Sequence, residues 1–494
     1  MTQRQTPMLS KSRFIAGLQC PLRLWYQCYN PELATEATPA RQAVFDAGHE
    51  VGRLATGLYP GGVLIEEDHL HHEEAVAGTG SVMGRPRVPA IFEAAFVHND
   101  VRVRVDILER EKAGRWNLIE VKSSTSVKSV YEQDLAVQYF VVRGVGLDVA
   151  RAGILHINNQ YVYDGRHLSL KDLFRFSDCT GTAIVRQGDI GSMLTELREM
   201  LTKAAPPDIA PSRHCMSPYQ CEFWEHCTRN KPEFWVMELS GIVQEKLDAL
   251  AALGVEAIHD IPDSFALTRL NKRIRDCVLH QKEYAAPELG AELREVQYPV
   301  HFLDFETAAP AIPRYANTRP YQAIPFQWSD HILFSDGTID HRAYLHEEDS
   351  DPREQVARTL LDALGDKGTI FMYTGYELNV TKGLAEALPL HRKRLLAAVE
   401  RFKDMHAPLK QHYYHPRFHG SFSIKAVLPA ILPKMNYENL AIQEGNQASV
   451  EYLRMLDPST PCEERERIKA NLSAYCAHDT LAMVRIREEL LKRF

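Results

Sequence analysis

Valine or isoleucine stands at every second position from 101 to 107, in the segment VRVRVDIL. This period of two indicates a half-buried β-strand, and it turns Asp106 to the face opposite the aliphatic side chains. A second strand is expected in NLIEVKSS, where Glu120 and Lys122 are two residues apart and share one face. The two segments predict a hairpin in a mixed α/β fold that brings Asp106 beside Glu120.

These side chains have the chemistry of a metal-dependent hydrolase. Asp106 and Glu120 offer oxygen ligands to a shared divalent cation such as Mg²⁺ or Mn²⁺, which would activate water and stabilise a phosphodiester transition state. Lys122 is suited to position the water or to neutralise the developing negative charge. The next segment, VYEQDLAVQYFVVRG, has helical spacing and brings Gln138 near the site as a neutral donor.

The segments VRVRVDIL, NLIEVKSS and DLAVQYF together resemble the three core motifs of the RecB-like branch of the PD-(D/E)xK nucleases. The segment GHEVGRLA resembles the upstream helix of that branch, which implies His49 as a further metal ligand, with the adjacent Glu50 as an alternative. The QxxxY motif of the branch is not reproduced, because Tyr139 follows Gln138 directly. The resemblance implies a nuclease core of the restriction-endonuclease-like fold within residues 1–235.

The chain has nine cysteines, an odd number that does not suggest a disulfide framework. Three of them, Cys215, Cys221 and Cys227, lie in the run HCMSPYQCEFWEHC with five residues in each gap. Zinc sites usually contain a Cys-x2-4-Cys pair, whereas the spacing of iron–sulfur ligands is more varied. A fourth thiolate is expected from Cys20 in QCPLRLW, with Cys28 as the alternative.

A QCPLRLW cysteine near the N-terminus, combined with three cysteines after a RecB-like core, resembles the iron–sulfur RecB-like nucleases. The resemblance implies a 4Fe–4S cluster held by Cys20, Cys215, Cys221 and Cys227. In those nucleases the cluster joins the two ends of the nuclease domain and does not cut DNA.

Residues 236–290 predict short amphipathic helices. Within them, LSGIVQEKLDALAALGVEAIHDIPD has a glycine-bearing turn between two helices and resembles a degenerate helix-hairpin-helix. A plain helical linker is the alternative. The chain is thus expected to divide into residues 1–235, 236–290 and 291–494.

A second set of carboxylates follows residue 300. Asp304 and Glu306 lie on one face of the apolar strand YPVHFLDFE, where they repel each other unless a cation lies between them. Glu377 begins a helix after a second apolar strand, and Asp404 begins another helix further on. Either one is a candidate for the next metal ligand, and we favour Glu377 because it emerges at the same end of the sheet as Asp304.

Tyr475 and Asp479 are four residues apart in the last predicted helix and share a face. An Asp-x-Glu pair, a middle carboxylate and Tyr-x3-Asp, in this order, resemble the tyrosine subtype of the DnaQ-like DEDD exonucleases. The resemblance implies an RNase H-like mixed sheet flanked by helices over residues 291–494. It also implies two divalent ions held by the carboxylates and a tyrosine that orients the attacking water.

The net charge of −8 argues weakly against general nucleic-acid binding, but residues 389–434 are strongly basic. Basic residues interleaved with aromatic ones suit a single-stranded backbone with stacked bases. The predicted nucleic-acid contacts are Arg392, Lys393, Arg394, Lys410, Arg417 and Lys425, and the interleaved aromatic residues are Tyr413, Tyr414, Phe418 and Phe422.

The order of these motifs resembles an uncharacterised bacterial family that fuses an iron–sulfur RecB-like nuclease to a DnaQ-like domain. The resemblance implies a metal-dependent nuclease, and we expect a DNA exonuclease. The alternatives are an RNA-directed second domain with a DNA-anchoring first domain, and a non-catalytic nucleic-acid-binding assembly protein. The sequence contains neither an 18-residue apolar window nor the apolar core of a secretory signal, so we expect a cytoplasmic protein without a membrane partner.

Overall fold

The computed structural model describes residues 7–68 and 70–494. The chain forms two compact units. The first comprises the chain up to Asn230 together with Pro310–Tyr321, and the second comprises Lys231–Ala309 and Gln322–Phe494. The expected middle segment, 236–290, is therefore part of the second unit.

The first unit is built on one mixed sheet. Its strands are β1 (Leu9–Ser10), β2 (Val63–Leu64), β3 (Ala90–His98), β4 (Val101–Arg110), β5 (Trp116–Lys122), β6 (Val149–Ile157) and β7 (Phe174–Asp178). Its helices are α1 (Lys11–Gln19), α2 (Pro21–Tyr29), α3 (Pro39–Thr56), α4 (His72–Met83), α5 (Ser129–Gly144), α6 (Leu170–Leu173), α7 (Thr180–Val185), α8 (Gln187–Thr202) and α9 (Trp224–Thr228).

The strands of this sheet follow the order β2-β3-β4-β5-β6-β7, and β1 pairs with β4 outside that path. The predicted hairpin is present, with Ile107 of β4 opposite Ile119 of β5 in an antiparallel pair. Asn99 and Asp100 have φ values of 49° and 51° in the turn before β4, as two-residue hairpin turns of the primed type require. Strands β5 and β6 are parallel, and helix α5 covers β3, β4 and β6.

The second unit continues the α/β pattern. Its strands are β8 (Tyr284–Ala285), β9 (Val300–Ala308), β10 (Ile324–Leu333), β11 (Ile339–Leu345), β12 (Thr369–Met372), β13 (Phe402–Asp404) and β14 (Tyr413–Tyr414). Its helices are α10 (Gln244–Ala252), α11 (Arg269–His280), α12 (Pro287–Arg294), α13 (Arg353–Leu364), α14 (Tyr376–Ala387), α15 (Arg392–Val399), α16 (His406–His412), α17 (Ile424–Ile431), α18 (Gly445–Leu456) and α19 (Cys462–Leu491).

Its main sheet has the order β11-β10-β9-β12-β13. Strand β10 is antiparallel to β9 and β11, whereas β9, β12 and β13 are parallel to one another. The carboxyl ends of β9 and β12 therefore meet at one edge of the sheet, where Asp304 and the turn before Glu377 lie. The long helix α19 packs on β9 and β10, which brings its middle turns to the same edge.

Residues 236–290 belong to this unit because short elements connect them to its later part. Strand β8 pairs antiparallel with β14, with Tyr284 opposite Tyr414. Gly254, with a φ of +72°, ends α10 in the left-handed conformation that favours glycine. Within the described residues, every helix is too short or too polar to cross a membrane.

Candidate functional site

In the first unit, Asp106 and Glu120 lie side by side on adjacent strands. The backbone N–H of Val121 donates a hydrogen bond of 2.7 Å to Oδ2 of Asp106, so the carboxyl group of Asp106 lies at the point where β5 leaves its pairing with β4. Glu120 is 1% exposed. The side chain of Gln138, on α5, donates a hydrogen bond of 2.7 Å to Oε2 of Glu120. The structure thus brings three of the predicted side chains together.

Two lysines also contact Glu120. The ammonium group of Lys122 lies 2.6 Å from Oε1 of Glu120 and 2.6 Å from Oδ2 of Asp134. The ammonium group of Lys11 lies 2.9 Å and 3.1 Å from the two oxygens of Glu120 and 4.0 Å from Oδ1 of Asp134. With Asp106, these four residues form a charged cluster, and we call the cluster and Gln138 together the first site.

The charges of the first site shift one another's protonation. Burial and repulsion from Glu120 raise the pKa of Asp106 to about 7. Burial alone would raise the pKa of Glu120, but Lys11 and Lys122 lower it well below its usual range. The two carboxyl groups are therefore unlike: Glu120 is held as a carboxylate, and Asp106 exchanges its proton near neutral pH.

Three residues at or beside the first site were missed by sequence reasoning. Asp134 lies one turn before Gln138 on α5, a spacing of four residues that was visible in the sequence. Lys11 reaches the site only because β1 pairs with the beginning of β4, at Leu9 and Val101. Glu93 lies on β3 with a φ of 56°, and its charge contributes to the raised pKa of Asp106.

The predicted ligand His49 is exposed on α3, and so is its alternative Glu50. Among the described residues, none is hydrogen-bonded to the side chain of either one. Metal binding by His49 therefore stays a prediction.

The four predicted cluster cysteines come together in the first unit. Cys20, Cys215, Cys221 and Cys227 line one pocket, along with apolar and aromatic side chains such as Phe223. Cys20 lies between α1 and α2, where it caps the end of one helix and the start of the next. The other three follow α8, so the pocket connects the beginning of the unit to its end.

Charge interactions also identify these thiols as neighbours. The Cys227 thiol interacts electrostatically with Cys215 and Cys20, and the Cys221 thiol interacts with Cys215. Burial raises the pKa of Cys221 to about 11, so this thiol stays protonated unless a bound cation displaces the proton. The alternative ligand Cys28 packs against the core of the unit instead.

In the second unit, the Asp-x-Glu pair and the Tyr-x3-Asp pair meet in one pocket. The pocket is lined by Asp304, Glu306, Tyr475 and Asp479, with Lys425 at its side. The hydroxyl of Tyr475 lowers the pKa of Asp479 against the effect of burial. The predicted convergence of a strand carboxylate pair with a helical Tyr-x3-Asp is therefore present, and we call this group the second site.

The structure distinguishes the two candidates for the middle ligand. Glu377 is 4% exposed and shares a side-chain hydrogen bond with Asp304, while its Oε2 atom is buried without a partner. Asp404 instead accepts hydrogen bonds from the N–H groups of Thr374, at 3.2 Å, and His406, at 2.8 Å. Glu377 thus joins the second site, and Asp404 holds the start of α16.

The carboxyl groups of the second site repel one another strongly. Burial, followed by repulsion from Asp479 and Glu306, raises the pKa of Asp304 well above its usual range. Burial raises the pKa of Glu377 to about 8 and that of Asp479 to about 6. A site of this kind binds either protons or metal cations at neutral pH.

Two further groups contact the second site. Tyr437 donates a short hydrogen bond to Oδ1 of Asp479. Lys425 lies 5.6 Å from the ring centre of Tyr437 and 5.4 Å from that of Tyr475, and its charge lowers the pKa of Glu306 against the effect of burial. Sequence reasoning missed Tyr437 because it lies 42 residues from Asp479 in a segment without a recognisable motif.

Cys476 is a second residue of the second site, besides Tyr437, that the sequence did not single out. Its sulfur lies 3.7 Å from Oδ2 of Asp304. Asp304, Glu306 and Cys476 each present an atom that could bind a metal, and these atoms lie within 4.8 Å of one another.

The basic stretch 389–434 is only partly as expected. Its predicted contacts Arg392, Lys393, Arg394, Lys410 and Arg417 are exposed, and Lys425 is half-buried beside the second site. The stacking expectation is wrong for the interleaved aromatic residues, since all four are at most 5% exposed: Tyr413, Tyr414, Phe418 and Phe422. They pack against one another because this segment folds back on itself around an apolar core.

Residues 301–423 are similar to a family described as a domain of unknown function (DUF2779). The matched stretch is about a quarter of the chain; it contains Asp304 and Glu377 and ends before Tyr475 and Asp479. No curated protein matches the chain.

Proposed function

We propose that this protein is a metal-dependent nuclease with two active sites, and that DNA is its substrate. The observation that carries the proposal is the convergence of four carboxyl groups in the second site. Asp304, Glu306, Glu377 and Asp479 come from three separate parts of the second unit, and each has a raised pKa. Such repulsion is costly in a fold unless the site binds cations.

The topology of the second unit supports a DnaQ-like exonuclease. A five-stranded sheet of order β11-β10-β9-β12-β13, with only β10 antiparallel to its neighbours, is the arrangement expected for an RNase H-like fold. The buried, unpartnered Oε2 atom of Glu377 is a free ligand atom within the carboxyl cluster. Hard divalent cations such as Mg²⁺ or Mn²⁺ suit an all-oxygen donor set.

When bound, the cations would supply Lewis acidity toward the phosphodiester. Asp304, Glu306, Glu377 and Asp479 would hold them. Tyr475 lines the pocket together with Asp479, which suits its hydroxyl to orient an attacking water.

The first unit has the residues of a PD-(D/E)xK site in mutual contact. Asp106 and Glu120 would hold a divalent cation, and the unpartnered Oε1 atom of Gln138 is buried beside them. Lys122 and Lys11 supply positive charge at Glu120, which suits them to bind a substrate phosphate. We propose a RecB-like nuclease site here, with His49 as an accessory ligand.

The cysteine pocket supports a 4Fe–4S cluster over a single zinc ion. Cys20, Cys215, Cys221 and Cys227 line one pocket. Zinc sites usually contain a Cys-x2-4-Cys pair, whereas five residues separate Cys215 from Cys221 and Cys221 from Cys227. This spacing suits the more varied ligand sets of iron–sulfur clusters.

The experiment that tests the proposal uses the full-length protein with Mg²⁺ or Mn²⁺ and end-labelled single- and double-stranded DNA and RNA. We expect metal-dependent cleavage of DNA that chelation abolishes. The control is the double variant Lys122→Ala/Asp304→Ala, which removes one group from each site. Cleavage that persists in the double variant, or no cleavage of any strand by the wild type, would overturn the proposal, and cleavage of RNA alone would overturn its substrate.

A further inference from the structure

The five residues between Cys215 and Cys221 form an exposed loop with buried ends. Cys215 and Cys221 are each 6% exposed, whereas all five residues between them are exposed. The N–H group of Cys221 donates a hydrogen bond of 2.7 Å to the carbonyl oxygen of Cys215 and closes the loop at its base. The gap between Cys215 and Cys221 is longer than the two to four residues of a typical zinc site, and its residues form this loop.

The loop carries Tyr219 to the edge of the first site. Tyr219 lines the same pocket as Lys11, Lys122 and Asp134, and Tyr131 lines that pocket too. Its side chain remains 45% exposed. The aromatic ring of Tyr219 is thus about half exposed to solvent beside a charged cluster. A large aromatic side chain is more often buried than this.

Residues of α1 and α2 bind the loop and the residues that flank it. The side-chain amide of Gln19, at the end of α1, donates hydrogen bonds to the carbonyl oxygens of His214, at 2.8 Å, and Tyr219, at 2.7 Å. Arg23 lines both the cysteine pocket and the pocket of the first site, and its guanidinium binds Glu222 at 2.8 Å. The backbone of Tyr219 is therefore held by Gln19, whose side chain in turn accepts a hydrogen bond from Arg23 of the cysteine pocket.

We infer that Tyr219 stacks on an unpaired base of a single strand bound at the first site, and that the cysteine pocket holds it there. The inference rests on the proposed function of the first unit. The site offers the two parts of single-strand recognition, which are cations for the phosphates and an exposed aromatic ring for a base. The cations are Lys11, Arg23 and Lys122, which line the pocket with Tyr219.

The first test compares Tyr219→Ala with Tyr219→Phe in the full-length protein, with the second site silenced by Asp304→Ala. Stacking on a base is worth about 5- to 100-fold in affinity, so Tyr219→Ala should raise KM for single-stranded DNA by that factor and change kcat less. Tyr219→Phe keeps the ring and should behave as the parent. Met216→Ala, in the same loop at 41% exposure, is the matched control and should also be silent.

A strand that contains abasic sites gives the decisive readout. Without bases there is nothing to stack on, so the parent and Tyr219→Ala should have the same KM for that strand, which a loss of fold would not produce. Equal KM values on normal DNA, or a Tyr219→Phe variant as weak as Tyr219→Ala, would overturn the inference and leave the proposed function intact. Absence of cleavage by the parent would instead contradict the proposed function.

The second test addresses the connection to the cysteine pocket. Cys221→Ser keeps the backbone hydrogen bond that closes the loop but removes a thiol of the cysteine pocket, so it should raise KM for single-stranded DNA as Tyr219→Ala does. If the pocket acts through Tyr219, the combined variant should be no weaker in binding than Cys221→Ser alone. Additive losses would mean that the pocket and the tyrosine act independently, which contradicts this part of the inference.

Discussion

The carboxyl groups of Glu377 and Asp304 share a hydrogen bond in the second unit. Two carboxylates cannot form such a bond, so one of the pair holds a proton when no cation is bound. Asp304 lies in β9 two residues beyond its parallel pairing with β12, and Glu377 lies five residues after the end of β12. Their contact thus follows from the topology and marks Glu377 as the partner of Asp304.

The first prediction separates Glu377 from Asp404. In a Lys122→Ala background, which leaves only the second site, Glu377→Ala should reduce exonuclease activity by about 100-fold or more, because a cation would lose a direct ligand. Asp404→Ala should reduce it by less than about tenfold. Initial rates on end-labelled single-stranded DNA would measure both.

Asp404→Ala has its own expected effect. It removes the acceptor for the first N–H groups of α16, so the free energy of unfolding should fall by about 1 kcal/mol. Thermal unfolding should detect this loss, and Glu377→Ala should not reproduce it. A more severe loss of activity in Asp404→Ala than in Glu377→Ala would reverse the assignment.

The second prediction concerns pH and metal. The pKa of Glu377 is raised from 4.5 to about 8, so the folded state binds more protons than the unfolded chain between these values. Stability should therefore fall as pH rises from about 4.5 to about 8. Thermal unfolding in chelator should show a lower midpoint at pH 8 than at pH 6.

Mg²⁺ should reverse this loss at pH 8, because the cation takes the place of the proton. Glu377→Gln is the matched variant, since it keeps the size of the side chain and removes its titration. It should flatten the dependence on pH and weaken the response to Mg²⁺. If the midpoint of thermal unfolding of the wild type in chelator rose between pH 6 and pH 8, the predicted direction of the pH dependence would be wrong.

Several parts of both sites follow from local sequence pattern. The alternation of residues 101–107 predicts the strand that carries Asp106, and the two-residue spacing of Glu120 and Lys122 predicts their common face. Helical spacing of four residues predicts that Tyr475 and Asp479 are neighbours. These relationships depend on one or two adjacent elements, so periodicity is enough to reveal them.

The residues that were missed are brought in by long-range packing. Lys11 is 109 residues from Glu120 and Tyr437 is 42 residues from Asp479, and no periodic pattern connects either pair. For the aromatic residues of 413–422, the sequence instead suggested a surface role that their burial contradicts. Their composition suggested a stacking surface, but composition does not reveal that the segment folds around its own rings.

The third prediction compares the two lysines of the first site, in an Asp304→Ala background. Lys122→Ala should abolish the remaining nuclease activity, since Lys122 forms ion pairs with both Glu120, on the same strand, and Asp134, on α5. Lys11→Ala should reduce activity by about 10- to 100-fold, because Lys122 and Gln138 still hold Glu120.

Both lysine variants should stay folded, because Glu120 keeps one ammonium partner in each. Circular dichroism and iron content would check this. Full activity of Lys122→Ala would mean that the first site is assigned wrongly.

The fourth prediction concerns the cysteine pocket. Anaerobically purified protein should contain iron and labile sulfide, and Cys221→Ser should lose both. Cys28→Ser is the matched control, because Cys28 lies outside the pocket and packs against the core, so it should keep its iron. Elemental analysis and visible absorption would measure this, and stoichiometric zinc without iron or sulfide would contradict the cluster.

The last prediction uses the two tyrosines beside Asp479: Tyr437 donates a hydrogen bond to it, and Tyr475 lowers its pKa. In the Lys122→Ala background, Asp304→Ala should abolish activity because a shared ligand is lost. Tyr475→Phe and Tyr437→Phe should each be milder, with about a 10- to 100-fold loss, since each removes one hydroxyl near Asp479 and keeps the other. The double variant removes both hydroxyls and should approach the inactivity of Asp304→Ala. Rates on labelled single-stranded DNA would measure the series, and a Tyr437→Phe variant as active as its parent would show that Tyr437 only packs beside the site.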